Sequence, residues 1–318
     1  MRDFDLDFPQ RTDLADEAAE RFREKSGRDS PGICARREKR HGFDIHILDV
    51  LDERGEAASG KSVGRYLTLD VGRIWTEEKK RFHEACETFA YCVRTFLPRG
   101  TGHDAPCMLA ALGNRAIIAD AIGPITADHF IVTRHIRESN PEMFASLEMR
   151  ETLCLCPGVL GNTGVEAAEI IGGTAASAKP GFVIAVDALA SRKLSRLATT
   201  IQICDTGISP GSGIYNTRKA LNRATLGVPV IAIGVPTVVE ATTLAVDILR
   251  TAAEAGQLDK AAVGEIIGRI SEQNEEGFFV TPKETDHIIK DAAKLIGYGL
   301  NLALHDNLSF DDIDEFLS

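Results

Sequence analysis

Basic residues are in short supply. The 318-residue chain has 36 lysines and arginines against 47 aspartates and glutamates, a formal net charge of -11 with histidine neutral. Phosphate binding needs a concentrated basic face, so this balance argues against a direct nucleic-acid binder, though not against a substrate that itself binds DNA. No apolar run reaches membrane length, and the opening MRDFDLDFPQRTD lacks the apolar stretch of a signal peptide. The expectation is a soluble, intracellular chain that does not touch a membrane. Internal repeats and low-complexity linkers are also missing, and the length suits one large domain or two smaller ones. Cysteine spacing lacks a metal pattern. Of the seven, at 34, 86, 92, 107, 154, 156 and 204, only Cys154 and Cys156 alternate along a strand. Two ligands without a second pair make a poor zinc signature, so reduced cytosolic thiols and no metal are expected.

What is present is a regular apolar pattern. In Gly181–Arg192, GFVIAVDALASR, an unbroken apolar run from Phe182 to Val186 leads into Asp187. Such a run predicts a strand buried on both faces and ending at the aspartate. Gly42–Val50 and Ser62–Val71 alternate like strands joined by a polar loop, Asp52–Lys61. Trp75–Phe96 predicts a long helix stopped by Pro98 and Gly100, and Leu14–Lys25 a short polar one. Apolar strands follow at Pro106–Leu112, Thr152–Cys156, Thr199–Cys204 and Pro229–Ile233, with helices at Ala127–Ile136, Val165–Ala178 and Thr237–Ala255. Thr281-Pro282-Lys283-Glu284 has the form of a capping box opening a helix toward Ala303. This alternation predicts an α/β fold, a mostly parallel central sheet with helices on both faces.

Three short motifs suggest chemistry that their contexts oppose. Gly55–Ser62, GEAASGKS, fits the phosphate-loop pattern, with Asp187 placed like a magnesium-side aspartate. A phosphate loop leads into a helix, whereas the following SVGRYLTLDV alternates like a strand. A helix after Ser62 would favour a nucleotide-binding protein; a strand rejects it. Gly207–Gly211, GISPG, fits a nucleophile elbow with Asp247 and His287 in hydrolase order, but Pro210, Gly211 and Gly213 deny the helix an elbow needs. PGVLGNTG, ending at Gly164, has the context of a phosphate cradle without its glycine spacing, and Glu166 would repel an anion there.

Asp120, in ALGNRAIIADAIGP, follows the first core strand by a short turn. If that strand lies parallel beside the Asp187 strand, both carboxylates project over one sheet edge, where chemistry gathers in α/β folds. Two carboxylates in one dry cleft separate their protonation states, so one takes a proton from water while the other polarises a carbonyl or protonates the leaving amine. The bland alternative makes Asp120 a helix cap and Asp187 the cap of the turn in SRKLSRL. Spacing alone leaves both open.

Longer stretches carry a resemblance. YLTLDV at 66–71, LGN at 112–114, DAIGP at 120–124, VTRHI at 132–136 and PGVLGNTGVEAAEII at 157–171 match one pattern. It continues in VDALASR at 186–192, TTIQICDTGISPGSG at 199–213, LGVPVIAIGVPTVVEA at 226–241 and VTPKETD at 280–286. Together they resemble the germination proteases of bacterial spores, aspartic-type endopeptidases of their own kind. The resemblance implies that Asp120 and Asp187 are catalytic, that neither metal nor other cofactor is required, and that the chain is a homotetramer. It implies a fold like that of the hydrogenase-maturation peptidases (phosphorylase/hydrolase-like). Those use carboxylates at similar strand ends with a metal, which keeps a metal-assisted peptidase as the alternative reading.

The family degrades small acid-soluble spore proteins during germination, so the implied location is the cytoplasm of the forespore and spore core. Its members are made as zymogens that remove a short N-terminal segment. RTDLADE at 11–17 implies a scissile bond between Asp13 and Leu14, a propeptide at 1–13 and a single peptidase domain at 14–318. An acidic residue before that bond suggests a cationic subsite, for which Arg115, Arg192 and Arg196 are the candidates. Two departures stand out. Ile118-Ala119 replaces the family's threonine-proline before the first aspartate, and the chain is short, implying a missing insertion between the N-terminal strands or around 137–152.

Overall fold

The strand expected to end at Asp187 runs on to Ser191. In the computed structural model of the chain, the described residues are 12–26, 31–98, 105–209, 219–256, 262–263, 265–266, 269 and 278–318. In chain order the strands are β1 (Ile33–Arg40), β2 (Phe43–Val50), β3 (Gly64–Asp70), β4 (Cys107–Ala111), β5 (Thr152–Leu155), β6 (Phe182–Ser191), β7 (Thr200–Cys204), β8 (Val230–Glu240) and β9 (Phe279–Val280). The helices are α1 (Ala15–Ser26), α2 (Glu53–Ser59), α3 (Lys79–Arg94), α4 (Ile122–Ala127), α5 (Arg134–Ser139) and α6 (Pro141–Leu147). They continue as α7 (Leu160–Thr163), α8 (Ala167–Ala178), α9 (Arg223–Leu226), α10 (Ala241–Glu254), α11 (Thr285–Leu304) and α12 (Phe310–Leu317).

The strands form one sheet in the order β1-β2-β3-β7-β8-β6-β4-β5, with β9 paired to β8. Only β5, β4, β6 and β8 run parallel; β1, β2, β3, β7 and β8 pair antiparallel, as does β9. The mostly parallel sheet expected from the sequence is therefore a mixed one. The antiparallel half begins with a hairpin absent from that reading. His41 and Gly42 both have positive φ, 47° and 78°, the geometry of a tight hairpin turn. β1, ICARREKR, is exposed along nearly its whole length, and its charges protect a sheet edge. Its polarity hid it from a search for buried runs.

Several element boundaries also move. The Asp52–Lys61 loop contains α2, capped by Asp52 accepting from Arg54 N and Gly55 N. The helix expected at Ala127–Ile136 is two, α4 and α5, with residues 128–133 between them. Residues 237–240, expected to open α10, belong to β8. No capping box opens α11; its first residue is Thr285, and Glu284 before it makes no side-chain cap. The expected helices on both faces are present. One face of the sheet (Leu67, Leu69, Ile184, Val186, Ile231, Ile233) packs against α3, α4 and α11 through Phe89, Ile122 and Ile296. On the other face α8 covers Val183 and Ala185, and α1 covers Leu48, Tyr66, Cys204 and Ala232.

Candidate functional site

β4 stops at Ala111, opposite Val186, so β6 loses its neighbour one residue before Asp187. Leu112 N still donates to Val186 O at 2.8 Å, after which Gly113 turns the chain at φ +112°. A Cβ at Gly113 would stand 1.9 Å from Asp120 O, so the turn closes only around glycine. Asp120 ends a 3-10 turn, Ile118–Asp120, and its Oδ2 accepts from Asn114 N at 2.8 Å. Ile118, where the resemblance places threonine, packs on the main core. In α4, Gly123 meets Leu112 and Val186 so closely that a Cβ would lie 2.2 Å from Leu112 O and 2.7 Å from Val186 O. The 3-10 turn thereby seats against β6 and β8. Asp187 is 5% exposed, and its Oδ1 accepts from Ala188 N at 2.9 Å. Both aspartates sit where β4 ends, while β6 and β8 stay paired out to Ser191 and Val239. Neither caps a helix: α4 follows Ala121, and the 3-10 turn Leu194–Arg196 follows Lys193, each without a side-chain cap.

The same end of the sheet holds the residues around Asp13. Asp13 N donates to Ala190 O at 2.9 Å, and Ala190 N donates to Asp13 Oδ2 at 2.8 Å. The Asp13 carbonyl oxygen receives Lys61 Nζ at 2.9 Å and Gln202 Nε2 at 3.3 Å. Gln202 Oε1 in turn accepts from Ala15 N at 2.7 Å, so one amide brackets Leu14, which is 0% exposed. Gln202 pairs with Gly234 and Gly234 with Asp187, which puts these positions on one face of the sheet. A cavity of about 320 Å³ opens beside them, lined by Asp13, Lys61, Leu189, Gln202, Ser209 and Gly234 among others. Lys61 reaches it because Gly60 ends α2 in the left-handed conformation, φ 67°, and turns the chain inward. Burial pushes the Lys61 ammonium below its usual pKa, with the Asp13 charge opposing that shift.

Glu17, one turn into α1, is buried and fixes the segment from below. Its carboxylate accepts from Thr12 Oγ1 at 2.5 Å, Arg192 N at 2.8 Å and Lys193 N at 3.4 Å. Burial raises its pKa despite these donors. Of the three candidate arginines, Arg192 thus meets this segment through its main chain, and Arg196 Nη2 pairs with Asp16 Oδ2 at 3.0 Å. Arg115 lies apart from it, bidentate on Asp128 at 2.7 and 2.8 Å and donating to Pro124 O. Lys61, Gln202, Glu17 and the Ala190 amide were not among the sequence candidates. Lys61 had a signal, the GK of the phosphate-loop pattern, discounted with the pattern itself.

The short motifs resolve by context. GEAASGKS spans the end of α2, and β3 rather than a helix follows Ser62, which rejects the phosphate loop. Asp247 lies on α10 and His287 on α11, where it faces Asp291 at 3.4 Å, while Pro210, Gly211 and Gly213 fall outside the described residues. Cys156 is exposed, and its thiol is pulled down to about 7 by a hydrogen bond from Cys154 and the nearby Arg115 cation. Among the described residues no group of three or more His, Cys, Asp or Glu side chains is arranged to hold a metal ion. No described helix is long and apolar enough to cross a membrane.

Comparison with known proteins places the chain beside germination proteases. The sequence model of a family described as germination protease covers residues 10–253. The germination protease of Caldanaerobacter subterraneus subsp. tengcongensis is 39% identical over 96% of this chain and 98% of its own. That of Clostridium perfringens (strain ATCC 13124) is 37% identical over 97% and 99%, and that of Bacillus subtilis 36% over 97% and 98%.

Proposed function

Because the chain belongs to the germination protease family, it is a protease, and we propose that it is an aspartic-type endopeptidase that begins the degradation of small acid-soluble spore proteins at germination. Asp120 and Asp187 are its catalytic pair: one carboxylate takes a proton from water, and the other, protonated, serves the carbonyl or the leaving amine. It is made as a zymogen that cuts its own chain between Asp13 and Leu14, separating residues 1–13 from a single domain at 14–318. The observation that carries this reading is the seating of Asp13. The residue is bound to β6, the strand that also holds Asp187, through Ala190, and its carbonyl oxygen faces two side-chain donors. Arg192 and Arg196, against Glu17 and Asp16, serve the acidic residues of the segment; Arg115 is the third candidate.

The remaining parts of the proposal are a homotetramer working in the spore core, a fold like the hydrogenase-maturation peptidases, and no metal or other cofactor. Sedimentation mass tests the tetramer. The decisive experiment is Asp187→Asn and Asp120→Asn in the full chain, with folding checked by thermal unfolding. Loss of a general acid or base costs about 10²–10⁴-fold in rate. Each variant is expected to lose self-trimming and cleavage of spore proteins by at least that order; parental rates in both would sink the mechanism.

A further inference from the structure

We propose that Lys61 and Gln202 form the oxyanion cradle for the Asp13–Leu14 bond, which makes them catalytic residues beside the two aspartates. The inference rests on that bond being the one cut. Its basis is which atom the two donors hold. They do not grip the Asp13 side chain, whose Oδ2 is taken by Ala190 N; they converge on its main-chain carbonyl oxygen, at 2.9 and 3.3 Å. That oxygen gains negative charge when water adds to the carbon. Donors already aimed there need no reorganisation as the charge develops.

The step balances without any group beyond water. Water oxygen bonds to the Asp13 carbonyl carbon, its proton goes to a carboxylate of the pair, and the carbonyl π electrons move onto the oxygen between Lys61 Nζ and Gln202 Nε2. Collapse restores the carbonyl, breaks the C–N bond and sends its electrons to the Leu14 nitrogen, which takes a proton from the protonated carboxyl of the aspartate pair. The rest of the site keeps the bond in register. Gln202 also holds Ala15 N at 2.7 Å, and Asp13 N holds Ala190 O at 2.9 Å, so the chain is fixed on both sides of the carbonyl. Lys61 is suited by its dry setting, where an ammonium acts on an oxyanion far more strongly than in water. Its placement has its own support: Lys61 N donates to Ser59 Oγ at 3.2 Å, itself bonded to Gly55 O.

The test uses the full chain and follows release of residues 1–13 by mass. Lys61→Met keeps the unbranched side chain up to one atom short of the ammonium and removes its donors; Gln202→Glu keeps the shape and replaces the donor with an acceptor. Loss of one oxyanion donor slows catalysis about 10²–10³-fold, the drop expected of each variant, with Lys61→Arg less affected. Hydrogen exchange at the Asp13 and Ala190 amides reports whether the segment stays seated. Slow cutting with both amides still protected supports the cradle. Parental cutting in both variants overturns it, as does slowing that always accompanies lost protection, because the side chains would then only dock the segment. If the parent chain releases its N-terminus at a bond other than Asp13–Leu14, the reading beneath the inference fails first.

Discussion

Glu17 shows how much a single side chain governs at this site. Its carboxyl group is buried and its pKa raised, chiefly by that burial, so the setting of the seated segment favours the neutral form over the ionised one. A folded-state pKa above the unfolded value stabilises below the unfolded pKa, and that contribution is lost as pH rises through the folded one. Acidification through the raised pKa toward the ordinary carboxylate range is therefore expected to tighten the seating of Thr12–Glu17. Glu17→Gln should remove this dependence: its thermal midpoint should gain on the parent at neutral pH and lose that advantage near pH 4. A midpoint difference that does not change with pH would contradict the assignment. At this scale the sequence drew attention to residues that sit in long motifs, as Asp120 and Asp187 do, whose catalytic role is proposed. It was silent on Gln202 and Glu17, whose importance comes from partners 187 and 175 positions away. Lys61 was passed over for a related reason: the pattern around it promised a phosphate, and with the phosphate rejected the lysine drew no further notice.

Between residue and fold, the element that matters most is the turn from β4 through Asp120 into α4. It has almost no room for adjustment. Gly123→Ala would put a methyl group into the carbonyls of Leu112 and Val186, and overpacking of this kind costs about 1–3 kcal/mol. Because the turn seats Asp120 against β6 and β8, proteolysis should fall more than stability does, which thermal unfolding and cleavage rates measured together would show. A variant with full activity and reduced stability would place the catalytic role of Asp120 in doubt. Elements buried on both faces were legible: β4, β6, β7 and the first part of β8 lie where continuous apolar runs predicted them. Boundaries set by tertiary contact were not. β6 and β8 continue past Asp187 and Gly234 because each pairs with the other out to Ser191 and Val239, with a shift in register at Leu189/Ala190. α11 starts at Thr285 although the residues before it have the form of a cap.

Across the whole molecule, the direction of each strand was the least legible property. Alternating strands and helices describe β4, β5, β6 and β8 well, but the hairpins of the N-terminal part extend the same sheet antiparallel, and no local pattern states which edge they join. That junction, β3 beside β7, brings Tyr66, Gln202 and α1 to one side of the cavity and so completes the site. The segment around Asp13 is seated on its own chain, so self-trimming is expected to be first order, with a half-time unchanged over a hundredfold range of protein concentration. A rate that grows with concentration would show cutting between molecules. The full burial of Leu14 then sets a direction in time. Hydrolysis would replace a neutral amide with two charged ends, an Asp13 carboxylate against the ammonium of Lys61 and a new ammonium on Leu14, which has no exposure. The carboxylate end gains a cationic partner, whereas the Leu14 ammonium would be charged in a position closed to water, which is costly. The severed Leu14 end is therefore expected to leave its buried place, which would separate the two ends, disfavour rejoining and make the cut act as a ratchet.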